Sequence, residues 1–277
     1  MMMAVRHIIA TAAAVLLSAA AIPAGIEEQV DLDAIESAVD AGRLTQARLM
    51  LARANLASLS GPRVDMVMGR YYLARGEDAL ALDRFNRLLA LGPSSRAATG
   101  AGIVALRLHQ FGRARGYFTA AVEQDPASWQ AWNGLGIVAD ANRAWSDAED
   151  AYRHALALRP ADAAILNNKG YSLLLQRRFG DAAATLRQAS LLEPNNGQIQ
   201  TNYEIAMALG GDYPGAVGIA GDDNDAARRL NNAGYAAWLK GDLPAARALL
   251  ARAIEANASY YRLAAANLET VERDSTR

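Results

Sequence analysis

Six asparagines carry the binding chemistry most visible in the sequence: Asn133, Asn167, Asn168, Asn202, Asn231 and Asn232. They recur at near-constant intervals, with 34 residues from Asn133 to Asn167, 34 from Asn168 to Asn202 and 30 from Asn202 to Asn232. An amide both donates and accepts, so a row of them can hold an extended polypeptide backbone whatever its side chains. Apolar and aromatic residues keep step with them: Ile137, Tyr171, Leu174, Leu175, Ile205, Tyr235, Trp238 and Leu239. Aromatic anchors flanked by polar groups are the usual makeup of a binding hot spot. Two alternatives stay open. The amides can instead bond to one another within the fold, and Leu175 and Leu239 can be core.

Catalytic chemistry finds little support. The histidines are His7, His109 and His154, and none has a second histidine or an acid at metal-ligand spacing. The pairs Gly100/Gly102 and Gly134/Gly136 lack the third glycine and the preceding strand of a nucleotide loop. There is no G-x-S-x-G elbow. The run Gly221-Asp222-Asp223-Asn224-Asp225 lacks the spacing and closing glutamate of a calcium loop and reads as a turn capping the next helix. With no cysteine, thiolate catalysis, disulfides and thiolate metal sites are excluded. The reading is no enzyme, no cofactor and no metal. Net charge is −1 with both signs interspersed, unlike the basic stripe of a nucleic-acid binder, so no nucleic-acid partner is expected.

The elements that would position the asparagines follow from the period. Pro93, Pro126, Pro160 and Pro194 lie 33, 34 and 34 residues apart. Ala47, Ala81, Ala114, Ala148, Ala182, Ala216 and Ala246 keep the same phase, as do Gly69, Gly102, Gly136, Gly170 and later Gly234. Four residues after six of those alanines comes a large apolar residue: Leu51, Phe85, Phe118, Tyr152, Leu186 and Leu250. This pattern predicts pairs of antiparallel helices, A then B. The small residues let A and B approach closely, and the large residue fills the joint one turn on. Proline stops each B helix.

The order Trp132, Leu135-Gly136, Ala148, Tyr152, Ala155, Pro160 resembles the tetratricopeptide repeat, whose period is 34. The resemblance implies an all-α solenoid, a right-handed superhelix with A helices lining its inner face. The expected repeats are 28–61, 62–94, 95–128, 129–162, 163–196, 197–226 and 227–260, with a capping helix and tail over 261–277. The first repeat is degenerate, with Ile35 in place of glycine. The sixth is short, and Pro214, Gly215, Gly218 and Gly221 weaken its second helix. In relatives, positions 5, 6, 9, 12 and 13 of each repeat face the groove, which places the asparagines and aromatics above in repeats four to seven. The N-terminal repeats offer Arg70, Leu73, Ile103, Leu106 and Arg107, without the lysines of a two-carboxylate clamp.

Residues 1–24 have the layout of a secretory signal peptide: Arg6 and His7, the apolar run Ile8 to Ile22, then small residues. That run is short of the roughly 20 residues needed to span a bilayer. The expectation is an exported, periplasmic protein that meets membranes only through partners or an uncleaved signal segment. Leu166 to Tyr171, Asn202 with Ala206 to Leu209, Leu230 to Tyr235 and Tyr260 to Leu268 are similar to the repeat proteins of tight-adherence (Flp-type) pilus loci. That similarity implies help in assembling the pilus secretin, and a protein or peptide segment as partner. The lipobox cysteine of that group is missing here. The alternative is a structural or regulatory subunit of another envelope complex, such as cell-wall or cytochrome maturation machinery.

Overall fold

A computed structural model describes residues 31–53, 60–218, 223–256 and 261–275. The expected signal segment lies outside the described residues, as do Gly221 and Asp222 of the Gly221–Asp225 run. Among the described residues all regular structure is helical, and no helix is long and apolar enough to cross a membrane. The chain divides into two units at residues 59 and 60.

The first unit contains α1 (Leu32–Asp40) and α2 (Leu44–Arg53). Asp31 caps α1 by accepting from the Ala34 amide at 2.9 Å. Gly42, at φ 69°, turns the chain between them. Ile35, Ala38, Ala47 and Leu51 are buried.

The second unit runs in pairs. α3 (Pro62–Arg75) precedes α4 (Asp78–Leu91), α5 (Ser95–Arg107) precedes α6 (Phe111–Gln124), and α7 (Trp129–Ala141) precedes α8 (Trp145–Leu158). α9 (Ala163–Leu175) is followed by α10 (Phe179–Leu192), α11 (Gly197–Gly210) by α12 (Tyr213–Gly218), and α13 (Asp223–Leu239) by α14 (Leu243–Ala256). α15 (Tyr261–Ser275) follows. Each A helix packs on its own B helix and on the A helices of neighbouring pairs, and α15 continues the A series by packing on α13 as well as α14. This is an all-α tetratricopeptide-type solenoid.

The recurrent small and large residues explain the packing. Ala81, Ala114, Ala148, Ala182, Ala216 and Ala246 are all buried. A Cβ added at Gly69, Gly102, Gly136 or Gly170 would lie 2.7, 2.6, 2.6 or 2.4 Å from Phe85, Phe118, Tyr152 or Leu186. The same aromatic rings also fill the next joint, because a Cβ at Gly100 or Gly134 would lie 2.4 Å from Phe85 or Phe118. One bulky residue thus seals its own pair and the pair that follows.

The sixth pair departs from this plan. The described part of α12 has 6 residues and ends where residues 219–222, outside the described residues, begin, whereas α4, α6, α8, α10 and α14 have 14 each. Pro214 stands in its first turn, where proline is tolerated, as Pro244 does in α14. The residue in phase with Phe85, Phe118, Tyr152 and Leu186 is Ala220, which has no bulk and lies outside the described residues.

Candidate peptide-binding groove

The asparagine row is built by the A helices, and its members meet across neighbouring pairs. Asn168 Nδ2 on α9 donates to Asn133 Oδ1 on α7 at 3.1 Å. Asn202 Nδ2 on α11 donates to Asn167 Oδ1 on α9 at 2.9 Å. Asn267 Nδ2 on α15 donates to Asn231 Oδ1 on α13 at 2.9 Å, and Asn231 Nδ2 reaches Asn232 Oδ1 at 3.5 Å. The amides therefore form rungs between successive A helices, the alternative that the residue types alone left open. Each rung occupies one donor or acceptor per amide, and an amide has two donors and two lone pairs. Asn167 and Asn231 are buried, while Asn133, Asn168, Asn202 and Asn232 stay half-buried.

The apolar members sit beside these rungs. Tyr171 is 49% exposed and Tyr235 43%, with Leu175 and Leu239 more open than a core position allows, at 44% and 54%. Ile137, Ile205, Leu174 and Trp238 are half-buried. The Tyr235 and Trp238 rings lie 5.3 Å apart, and Trp238 Nε1 donates to Asp274 on α15 at 2.9 Å. So the structure brings together Asn133 with Asn168, Asn167 with Asn202, Asn231 with Asn232, and Tyr235 with Trp238.

Asn267 and Asp274 were not singled out from the sequence, although a signal existed. Both lie 36 residues after a groove candidate, Asn231 and Trp238, two more than the 34-residue period, which would reach Ala265 and Glu272 instead, and only their shared offset marks them. Glu204 was missed too. It stands 34 residues after Gly170, in the glycine phase, and is 2% exposed. Its carboxylate accepts from Arg228 on α13, Nη1 at 2.7 Å and Nη2 at 3.2 Å. Burial raises the Glu204 pKa above the ordinary carboxylate value, opposed by hydrogen bonding and charge from Arg228.

A second polar cluster joins α7, α8 and α9. Tyr152 Oη on α8 donates to Asp140 Oδ2 on α7 at 2.8 Å, and Ser172 Oγ on α9 donates to Asp140 Oδ1 at 2.6 Å. Burial pushes Asp140 upward, and the two hydrogen bonds counter that. Burial also raises the Tyr152 hydroxyl, with the Asp140 charge adding to it. This cluster bridges three helices and is internally satisfied, which suits a structural role.

At the N-terminal end of the second unit, Arg70, Leu73 and Ile103 line a hollow of about 290 Å³ with Thr99 and Ser128. Arg107 is engaged within the fold, donating to the Leu73 carbonyl at 2.8 Å and lying 3.3 Å from Asp78. His154 stacks on Trp132 with ring centroids 4.4 Å apart, and His109 is a turn residue at φ 55°. Among the described residues no group of three or more His, Cys, Asp or Glu is placed to hold a metal.

The tetratricopeptide repeat family model matches residues 99–163 and 138–196. A comparison with curated proteins gives no match. Several solved structures share the fold. YrrB, described as a TPR protein with an unusual peptide-binding site, is 18% identical at a TM-score of 0.50, covering 64% of this chain and 94% of its own. The APC/C hetero-tetramer Cut9-Hcn1 is 16% identical at 0.58, covering 92% of this chain and 52% of that one. A tetratricopeptide repeat protein from Parabacteroides merdae is 12% identical at 0.55, covering 89% and 98%. With helices paired on a 34-residue period, the chain has the tetratricopeptide-repeat fold, and residues 99–196 at its centre match that family's model.

Proposed function

We propose that this chain is a non-enzymatic periplasmic adaptor that holds an extended segment of a partner polypeptide along the A helices from α7 to α13. The observation that carries this reading is the exposure of Tyr171, Leu175, Tyr235 and Leu239 along a row of amides. Tyr171 and Leu175 lie on α9 and Tyr235 and Leu239 on α13, with α11 between them, so an extended segment crossing three successive A helices would meet both sets. Asn168, Asn202 and Asn232 keep amide groups for a backbone running across them. The peptide-binding site named for YrrB is consistent with this use of the fold. The apolar leader and the likeness of the last 110 or so residues to tight-adherence pilus proteins favour assembly of a Flp-type pilus or secretion apparatus, in a pilotin-like role.

The structure refines the choice of test residues. Asn168, Asn202 and Trp238 bond within the fold, so their removal would mix stability with binding. Tyr171 and Tyr235 are exposed. The double variant Tyr171→Ala with Tyr235→Ala should leave thermal unfolding nearly unchanged, as surface substitutions do. In pull-downs from envelope extracts of a strain carrying a pilus locus, the wild-type chain should retain the secretin and the double variant should not. Retention of a peptidoglycan enzyme instead, with normal piliation after deletion of the gene, would refute the pilus assignment. Equal capture by the variant would refute the groove.

A further inference from the structure

Three A helices start from a side-chain cap, and a fourth carries the capping residue without the bond. Ser94 accepts from the Ala97 amide at the start of α5, Asp162 from the Ala164 and Ile165 amides of α9, and Asn196 from the Gln198 and Ile199 amides of α11. Ser128 holds the same place before α7, yet its side chain caps nothing. Its Oγ lies 3.3 Å from Thr99 Oγ1 on α5 instead. The first-turn amides of α7 therefore lack the side-chain acceptor that their counterparts have.

The hydroxyl pair leaves a further donor unspent. Each hydroxyl has one proton and a single bond joins the two, so one proton has no acceptor in the chain whichever oxygen donates. Both residues are 8% exposed, and a buried donor left over calls for an acceptor from outside the chain. Both line the hollow of about 290 Å³ described above. Ser95 and Arg96 bring the start of α5 to that hollow, and Ser128 and Gln130 bring the start of α7. The positive ends of two helix dipoles thus meet at one place. Arg70 and Arg96 add two cationic side chains against one acid of the lining, Asp125, whose Oδ1 already accepts from the Ala127 amide at 3.0 Å. Met66, Leu73 and Ile103 make part of the wall apolar.

We propose that this hollow binds a carboxylate, held by the uncapped start of α7, the Thr99 and Ser128 hydroxyls and the charge of Arg70 and Arg96. Water would take up the spare hydroxyl proton but would not answer the positive field. A carboxylate does both, as anions at helix N-termini do. Its hydrocarbon stem also covers the apolar wall, which an inorganic anion would leave bare. The carboxylate belongs either to an acidic residue of the partner segment, where that segment crosses α5 and α7, or to a free small carboxylic acid. The first source rests on the adaptor reading proposed above, and the site itself does not.

The test is a nuclear magnetic resonance titration of the whole chain that follows the Thr99, Ser128, Gln130 and Ala131 amides. The probes, at constant ionic strength, are a blocked pentapeptide with one glutamate among alanines, its glutamine counterpart, propionate and inorganic phosphate. The glutamate peptide should shift these amides saturably and the glutamine peptide should not. A glutamate peptide that binds more tightly than propionate assigns the carboxylate to a polypeptide, and propionate binding as tightly or more so assigns it to a free acid. The absence of a saturable shift with both carboxylates would overturn the proposal, as would an equal response to the glutamine peptide or phosphate binding as tightly as either carboxylate. The double variant Thr99→Val with Ser128→Ala removes both hydroxyls together, so neither is stranded, and no cap is lost. It should unfold as cooperatively as the wild type and bind the tighter of the two carboxylates about tenfold or more weakly, the loss expected for hydrogen bonds to a charged group. Unchanged affinity in that variant would overturn the proposal too. Equal partner capture by the Tyr171→Ala with Tyr235→Ala variant would bear on the amide row from α7 to α13 and leave this site standing.

Discussion

Glu204 shows how a single side chain can set opposing terms against each other. Its partner Arg228 is held charged, since hydrogen bonds and charge from Glu204 and Asp225 outweigh its partial burial. Glu204 itself is more deeply buried, and there desolvation outweighs the pairing. In the folded chain it thus binds a proton more tightly than in the unfolded chain, where its value is the ordinary 4.5. The folded state gains stability from this site as pH falls through the raised value and loses it as pH rises through it. The wild type should accordingly gain on Glu204→Gln, in unfolding free energy, as the pH is lowered from neutrality towards 4.5. Movement in the opposite direction in parallel urea titrations would show that pairing dominates burial. Removing the cation is a different experiment. Arg228→Leu leaves the carboxylate buried without its partner and should cost about 3–5 kcal/mol at neutral pH. A cost within error of zero would mean the pair is solvated in the folded chain.

At the scale of the helices, the same residue type has opposite effects in different places. Gly136 faces Tyr152, whose ring is buried and whose hydroxyl is tied to Asp140. A methyl group there would sit 2.6 Å from the ring, so Gly136→Ala should destabilise by about 1–3 kcal/mol. Gly116, on the exposed face of α6, has nothing within 4 Å of a Cβ, and Gly116→Ala should stabilise by about 1 kcal/mol through helix propensity alone. Thermal melts of the two variants decide this, and a shared sign would sink the packing account. The phase of alanine, glycine and the large apolar residue made the helix pairs legible in the sequence, because each position does one packing job repeated along the chain. The Glu204–Arg228 contact was not legible. Glu204 reads as an ordinary exposed helix residue until the helices are stacked and Arg228, 24 residues on, is brought against it.

Across the second unit, neighbouring pairs contact each other and distant ones do not, so stability is a sum over pairs and the joints between them. This is why the period revealed the array while the asparagine rungs stayed ambiguous. The period gives which face a residue shares, but whether an amide meets a peptide or the next amide depends on the spacing between helices. Such an array need not unfold in one step when one joint is weaker than the rest. The tryptophans report on the two sides of the α11–α13 joint. Trp129, Trp132 and Trp145 lie on α7 and the start of α8, and Trp238 lies on α13. Subtracting the urea fluorescence profile of Trp238→Phe from that of the wild type isolates the C-terminal signal. The Trp238 signal should have its midpoint at a lower urea concentration than the signal the variant retains, with helix content by circular dichroism falling across both. Coincident midpoints in the wild type would mean that the unit unfolds as a whole and that the sixth pair transmits cooperativity as well as any other.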